Sequence, residues 1–194
     1  MRILKEQTKL VVIDIQEKLF PLIDNNEQLL KKCQTLIEGI KLLSVPTIVT
    51  EQYVKGLGKT IEPIAESLGQ FEPIEKMTFS CMGEPNFNLK IEEHFIKNVL
   101  LCGIESHVCI LQTAIDLLDA GHTPIVVADA VSSRNPYDKE IALQRFASEG
   151  IRVTTVESIL FELCKISGTE QFKAISKFTQ VSSASCQIQP VSSN

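Results

Sequence analysis

Three residues of this 194-residue chain have types and positions suited to nucleophilic chemistry: Asp14, Lys76 and Cys109. Asp14 ends the apolar run Lys9-Leu-Val-Val-Ile-Asp14, where a charge is costly unless it is partnered or used. Lys76 sits in Glu75-Lys-Met-Thr-Phe-Ser80, just after a short candidate strand. Cys109 closes the tract Gly103-Ile-Glu-Ser-His-Val-Cys109. There Gly103 permits a tight exit from a strand, and Ser106 or a near neighbour can cap the next helix. Cys109 then falls in the first helical turn, where the helix dipole favours a thiolate. The unpaired amides of that turn are candidates for an oxyanion hole. A carboxylate base, a thiol nucleophile and an ammonium together suit covalent catalysis. Each also has a plain structural reading: a strand-end cap, a surface lysine and a buried structural cysteine.

The elements that must bring these residues together are legible in the hydrophobic pattern. Short apolar, β-branched runs at Leu10–Ile13, Pro46–Thr50, Phe71–Lys76, Asn98–Gly103, Pro124–Ala128 and Ile151–Thr155 read as strands. Helical spacing appears over Asn26–Leu43, Lys59–Leu68, Phe87–Ile96, His107–Ala120 and Tyr137–Ser148, with more helix to about Phe178. Strands alternating with amphipathic helices predict a three-layer, Rossmann-like α/β fold with a parallel sheet. In such a sheet, ligands bind outside the carboxyl ends of the strands where the strand order reverses. With six strands in the order 3-2-1-4-5-6, strands one and four flank that reversal. Asp14 and Cys109 would then meet across the crevice, with Lys76 reaching in from strand three.

The bulk numbers narrow the function classes. The length suits one α/β domain, expected over residues 1–180, and the Ser- and Gln-rich residues 181–194 read as a C-terminal tail. The net charge of −5 and the lack of any Lys/Arg run longer than two argue against nucleic acid. No apolar stretch approaches the ~20 residues of a membrane span, and residues 1–7 do not read as a secretory signal. The six cysteines are scattered, with no Cys-x-x-Cys pair, so free thiols and a cytoplasmic location are expected.

The segments Val12-Ile-Asp14-Ile-Gln16, Lys76-Met-Thr-Phe-Ser80 and Gly103-Ile-Glu-Ser-His-Val-Cys109 make the chain resemble the isochorismatase-like cysteine hydrolases, a group that includes nicotinamidases. Thr50-Glu-Gln-Tyr-Val-Lys-Gly-Leu-Gly58 is similar to the branch of isochorismatase domain-containing proteins. The resemblance spans about Leu10 to Leu163. It implies an Asp14–Lys76–Cys109 triad, a cis peptide at Ile104–Glu105, and an oxyanion hole from the backbone amides of Glu105 and Cys109. It also implies a hydrogen-bonding role near the triad for Gln16, and a dimer or larger homo-oligomer. Nicotinamidases carry an Asp-x-His and a further His near strand two. Here that region reads Glu51-Gln-Tyr-Val-Lys-Gly, with no His. No catalytic metal or other cofactor is therefore expected, and nicotinamide is not the expected substrate.

The expected reaction is hydrolysis of a small molecule at an amide-like C–N bond, with vinyl-ether or ester cleavage as the other readings left open. Phe20, Tyr53 and Phe79 are candidate apolar walls of the substrate pocket, with ordinary core packing as the other reading, favoured for Phe79. Cys81 lines the same pocket or is structural. His107 stands two residues from Cys109, so the two point to different faces of a helix, and a role as base is disfavoured. His94 and His122 read as surface residues. Two other functions remain open: a scaffold or regulatory protein that kept the fold without efficient turnover, and a redox-sensing thiol protein.

Overall fold

The structure, a computed structural model, describes residues 2–92 and 96–184. Six strands, β1 (Thr8–Ile13), β2 (Thr47–Gln52), β3 (Ile74–Lys76), β4 (Asn98–Ile104), β5 (Thr123–Ser132) and β6 (Arg152–Thr154), form one sheet in the order β3-β2-β1-β4-β5-β6. Every adjacent pair is parallel. The helices are α1 (Asn26–Leu42), α2 (Val54–Leu57), α3 (Glu62–Leu68), α4 (Pro85–Glu92), α5 (Leu111–Asp119), α6 (Pro136–Ser148), α7 (Val156–Cys164) and α8 (Glu170–Ala184). The last helix covers the first four residues of the expected tail, and positions 185–194 lie outside the described residues, as does His94.

The continuous apolar strands are explained by burial on both faces. In β1, Leu10 and Val12 pack with Leu100, Ile125 and Val127 against Cys33, Leu36, Ile37 and Ile40 of α1 and Ile159, Leu160 and Leu163 of α7. Val11 and Ile13 point the other way, packing with Val99, Leu101 and Val126 against α4, α5 and α6 through Phe87, Leu111, Ala114, Leu117 and Phe146. The period-2 geometry of a strand sends neighbours to opposite layers, so the apolar run of β1 supplies two cores at once.

Two elements depart from the sequence expectation in ways that bear on the site. The helix expected over His107–Ala120 is a π-helical turn, Ser106–Ile110, followed by α5. The amides of Val108 and Ile110 both reach the Glu105 carbonyl, which widens the turn around Cys109. Strand β5 runs on to Ser132, with a register shift against β4 between Leu101 and Gly103. Helix α4 is described over Pro85–Glu92, and the rest of the helix expected to Ile96 falls largely on residues 93–95, outside the described residues.

Gly103 is the backbone position on which this end of the sheet depends. Its φ is +119, and a Cβ there would lie 2.1 Å from the Ile13 carbonyl oxygen. Neither the angle nor the space suits a side chain. Gly103→Ala is therefore expected to destabilise the protein by about 3 kcal/mol or more. A denaturant melt with an unchanged midpoint would contradict that close approach.

Candidate active site

The loops after β1, β3 and β4 bring Asp14, Lys76 and Cys109 to one end of the sheet. Asp14 is the first residue past β1 and is 1% exposed. Its φ of 55 places it in the left-handed region, which Asp tolerates better than most residues. Lys76 is the last residue of β3 and is 2% exposed. Its Nζ lies 2.6 Å from Asp14 Oδ2. The same ammonium donates to Gln52 Oε1 at 2.6 Å and reaches the carbonyls of Phe79 at 3.1 Å and Thr78 at 3.3 Å. The second carboxylate oxygen, Asp14 Oδ1, accepts from Thr50 Oγ1 at 2.7 Å. A buried ion pair needs its remaining donors and acceptors satisfied, and here each partner has hydrogen bonds besides the ion pair itself.

Cys109 lies in the π turn and is 7% exposed. Single π turns in helices are frequent at functional sites. Burial pushes the thiol well above its ordinary value, the charge of Asp14 raises it further, and Lys76 opposes both. This departs from the sequence expectation of a thiolate favoured by the helix start. The lysine's charge is already taken up by Asp14, and the low-dielectric surroundings favour the neutral thiol. Lys76 itself is disfavoured as an ion by burial, but Asp14, with the two nearby thiols, more than reverses this and leaves its pKa raised.

Cys81 is a second thiol at the site. It is fully buried, its Sγ lies 3.9 Å from Thr50 Oγ1, and its amide bonds to Thr113 Oγ1 at 2.9 Å. Burial and then Asp14 push it up to about 11.

The peptide Ile104–Glu105 is cis. The Glu105 carboxylate turns towards Arg134, accepting from its amide at 2.9 Å and its Nε at 3.1 Å. This ties the start of the π turn that carries Cys109 to the end of β5. His107 Nδ1 is 2.9 Å from Ser133 Oγ, and its Nε2 is 3.9 Å from Asp138, so its polar atoms serve the neighbouring loop.

The remaining expected residues fall in different places. Gln16 is fully buried, and its amide is engaged by backbone: Nε2 donates to the carbonyls of Gln52 and Gly58, and Oε1 accepts from the Gln52 amide. Phe20 packs against the α1-side core. Tyr53 and Phe79 are 48% and 54% exposed, so the core-packing reading of Phe79 does not hold. Tyr53 and Met77 line a cavity of about 300 Å³ beside Lys76, with Val54, Lys55, Glu75 and Glu84. A larger hollow of about 470 Å³ opens around Val45, Thr47 and Phe71, and none of Asp14, Lys76 and Cys109 lines it. The smaller one lies past the carboxyl ends of β2 and β3, and of Asp14, Lys76 and Cys109 only Lys76 lines it. Among the described residues, no cluster of His, Cys, Asp or Glu is placed to hold a metal ion, and no helix is long and apolar enough to cross a membrane.

Sequence reasoning passed over Thr50 and Gln52. Both follow the apolar run of the second strand, so asking what stands at the carboxyl end of each strand finds them once it is applied to strand two as well.

This six-stranded parallel architecture, with its site at the carboxyl ends of the strands, is that of the isochorismatase-like hydrolases. Residues 8–158 match the Isochorismatase domain, and the chain belongs to that family. It is 38% identical over 185 residues to the secreted isochorismatase effector Isc1 of Phytophthora sojae, covering 91% of this chain and 86% of the relative. It is 37% identical over 177 residues to isochorismatase domain-containing protein 2A of Mus musculus, covering 91% of this chain and 84% of the relative. The structure of the MAR1 ribonuclease from Caenorhabditis elegans superposes with a TM-score of 0.88 at 37% identity, covering 100% of both chains.

Replacing Lys76 by Met would leave the Asp14 carboxylate buried without a counter-charge, at an expected cost of about 3–5 kcal/mol. The same change in an Asp14→Asn background should cost much less, and equal costs in the two backgrounds would show the pair to be uncoupled. Because its folded pKa is raised, Lys76 contributes stability that is fully present below the unfolded lysine value of about 10.4. That contribution is lost as pH rises through the higher folded value. The parent protein should thus lose stability above that pH more steeply than Lys76→Met, which urea melts across the alkaline range would reveal.

Proposed function

We propose that this protein is a hydrolase that cleaves an amide-like C–N bond of a small molecule through Cys109, with Asp14 as proton carrier and Lys76 as the charge that keeps Asp14 ionised. The observation that carries the reading is a carboxylate, an ammonium and a thiol sharing one buried site, the first two as a pair 2.6 Å apart.

The resting site holds a neutral thiol beside an ionised carboxylate. When a substrate carbonyl enters, the Cys109 S–H bond breaks, its proton passes to Asp14, and the sulfur pair forms the S–C bond. The negative charge that develops on the carbonyl oxygen is held by the backbone amides of Glu105 and Cys109. As the tetrahedral adduct collapses, the C–N bond breaks and Asp14 returns its proton to the departing nitrogen. The thioester is then attacked by water, whose proton Asp14 accepts and passes back to the thiolate as the acid product leaves. Lys76, paired with Asp14 at rest, loses its counter-charge while Asp14 carries the proton, and its positive charge then offsets the anion forming on the tetrahedral adduct.

Tyr53, Phe79 and Phe20 are proposed as the apolar side of the substrate site, with Gln16 bracing the loops beneath it. The domain is proposed to span residues 1–180, and the protein to work as a homo-oligomer. The five described cysteines are all free, which fits a reducing compartment and a cytoplasmic location, although one relative is named as secreted. The ribonuclease name of the C. elegans protein is not carried over. RNA binding calls for concentrated positive charge, whereas this chain has a net charge of −5 and the ammonium of its site is paired with Asp14.

The test is ammonia release from a panel of small primary amides. Turnover is expected in the parent protein and should fall by at least about a thousandfold in Cys109→Ala and in Cys109→Ser. Undiminished turnover in Cys109→Ala would end the proposal, and a scaffold would show no turnover on any amide.

A further inference from the structure

Thr50 is a buried hydroxyl that the chemistry above does not yet use. It lies within β2 and is 1% exposed. Its Oγ1 donates to Asp14 Oδ1 at 2.7 Å while the Cys81 thiol points at the same hydroxyl from 3.9 Å. Lys76 occupies the other carboxylate oxygen, Oδ2, at 2.6 Å. A hydroxyl has one proton to give. With a thiol directed at its lone pairs, that proton goes to Asp14.

We propose that Thr50 is a positioning residue for the proton exchange between Asp14 and Cys109, its hydroxyl holding the Asp14 carboxylate ionised and oriented to receive the thiol's proton. This rests on the roles given to Asp14 and Cys109 above. A hydrogen bond given to the charged form of an acid favours that form, and the effect is larger where water is excluded. Lys76 cannot supply this second donation, because its ammonium is committed to Asp14 Oδ2, Gln52 and two carbonyls. The titratable groups facing Asp14 are Lys76 from β3, Cys81 from the turn that follows it and Cys109 from the π turn. Thr50 is the neutral donor among them.

The consequence is specific. When the pair holds one proton, that proton divides between sulfur and carboxylate, and the pair titrates as a unit. By stabilising ionised Asp14, Thr50 keeps the proton on sulfur at rest. It also lowers the pH at which the pair gives up its first proton.

The experiment follows alkylation of Cys109 by iodoacetamide, a small neutral amide, with peptide mass spectrometry across pH. It uses the full-length protein and its Thr50→Val, Thr50→Ala, Thr50→Ser and Asp14→Asn variants, each checked for folding by a thermal melt. In the parent protein the rate should rise from acid pH to a plateau, then rise again as the pair loses its second proton. In Thr50→Val and Thr50→Ala the midpoint of the first rise should move up by about one pH unit and the plateau should rise by up to about tenfold. The far-acid limbs should superimpose. Thr50→Ser should restore the parent profile. A site merely loosened by the substitution would change the rate without moving the midpoint. An unmoved midpoint in the folded Val or Ala variant, or a Ser variant that behaves like Val, overturns this inference alone. A parent profile with no first rise, matching Asp14→Asn, overturns the proposed roles of Asp14 and Cys109 with it.

Discussion

The structure turns on one buried carboxylate. Asp14 is almost wholly excluded from water, and an isolated charge in that setting would neutralise itself by taking up a proton. Its carboxylate is met by Lys76 on one oxygen and Thr50 on the other. Those donors come from β3 and β2, while Asp14 follows β1. The site therefore exists only once three neighbouring strands are in register. The pair is expensive to desolvate, and such pairs add little to stability in general. In the proposed chemistry the pair has a use: a thiol beside a carboxylate holds the proton that acyl transfer would move.

That arrangement changes how the nucleophile should be understood. A cysteine at a helix start beside a lysine suggests a preformed thiolate. Here the ammonium's field is spent on Asp14, and burial works against the sulfur anion, so Cys109 is held as a thiol. In the proposed mechanism, reactivity would then depend on coupling bond formation to proton transfer. A thiol kept neutral at rest is also a poor target for oxidants, which attack thiolates. This weakens the redox-sensor alternative.

Much of this was legible in the sequence. The alternation of β-branched runs with amphipathic helices pointed to a parallel sheet covered on both faces, and Leu10 to Ile13 are buried in both layers; the strand order was assumed from the sequence and is seen in the structure. Looking for polar residues at strand ends found Asp14 and Lys76, since a charge after an apolar run stands out. The details of local geometry were less visible. Nothing in Ser106-His-Val-Cys-Ile110 marks a π turn, which arises when two amides share the Glu105 carbonyl. Thr50 was hidden by being ordinary, because threonine is at home in strands. Phe79, apolar and next to a site lysine, gave no sign that it would be 54% exposed. Exposure there depends on how the loop after β3 turns outward.

The central claim is the protonation state of Cys109, and carbon-13 NMR of the protein labelled at cysteine Cβ reads it directly. With the signal assigned by comparison with Cys109→Ser, the account predicts a thiol shift throughout the neutral range. Titration should begin only well above the ordinary cysteine value of about 8.5, and should move down when Asp14 is replaced by Asn. A thiolate signal at neutral pH, or a titration unaffected by that replacement, would contradict it.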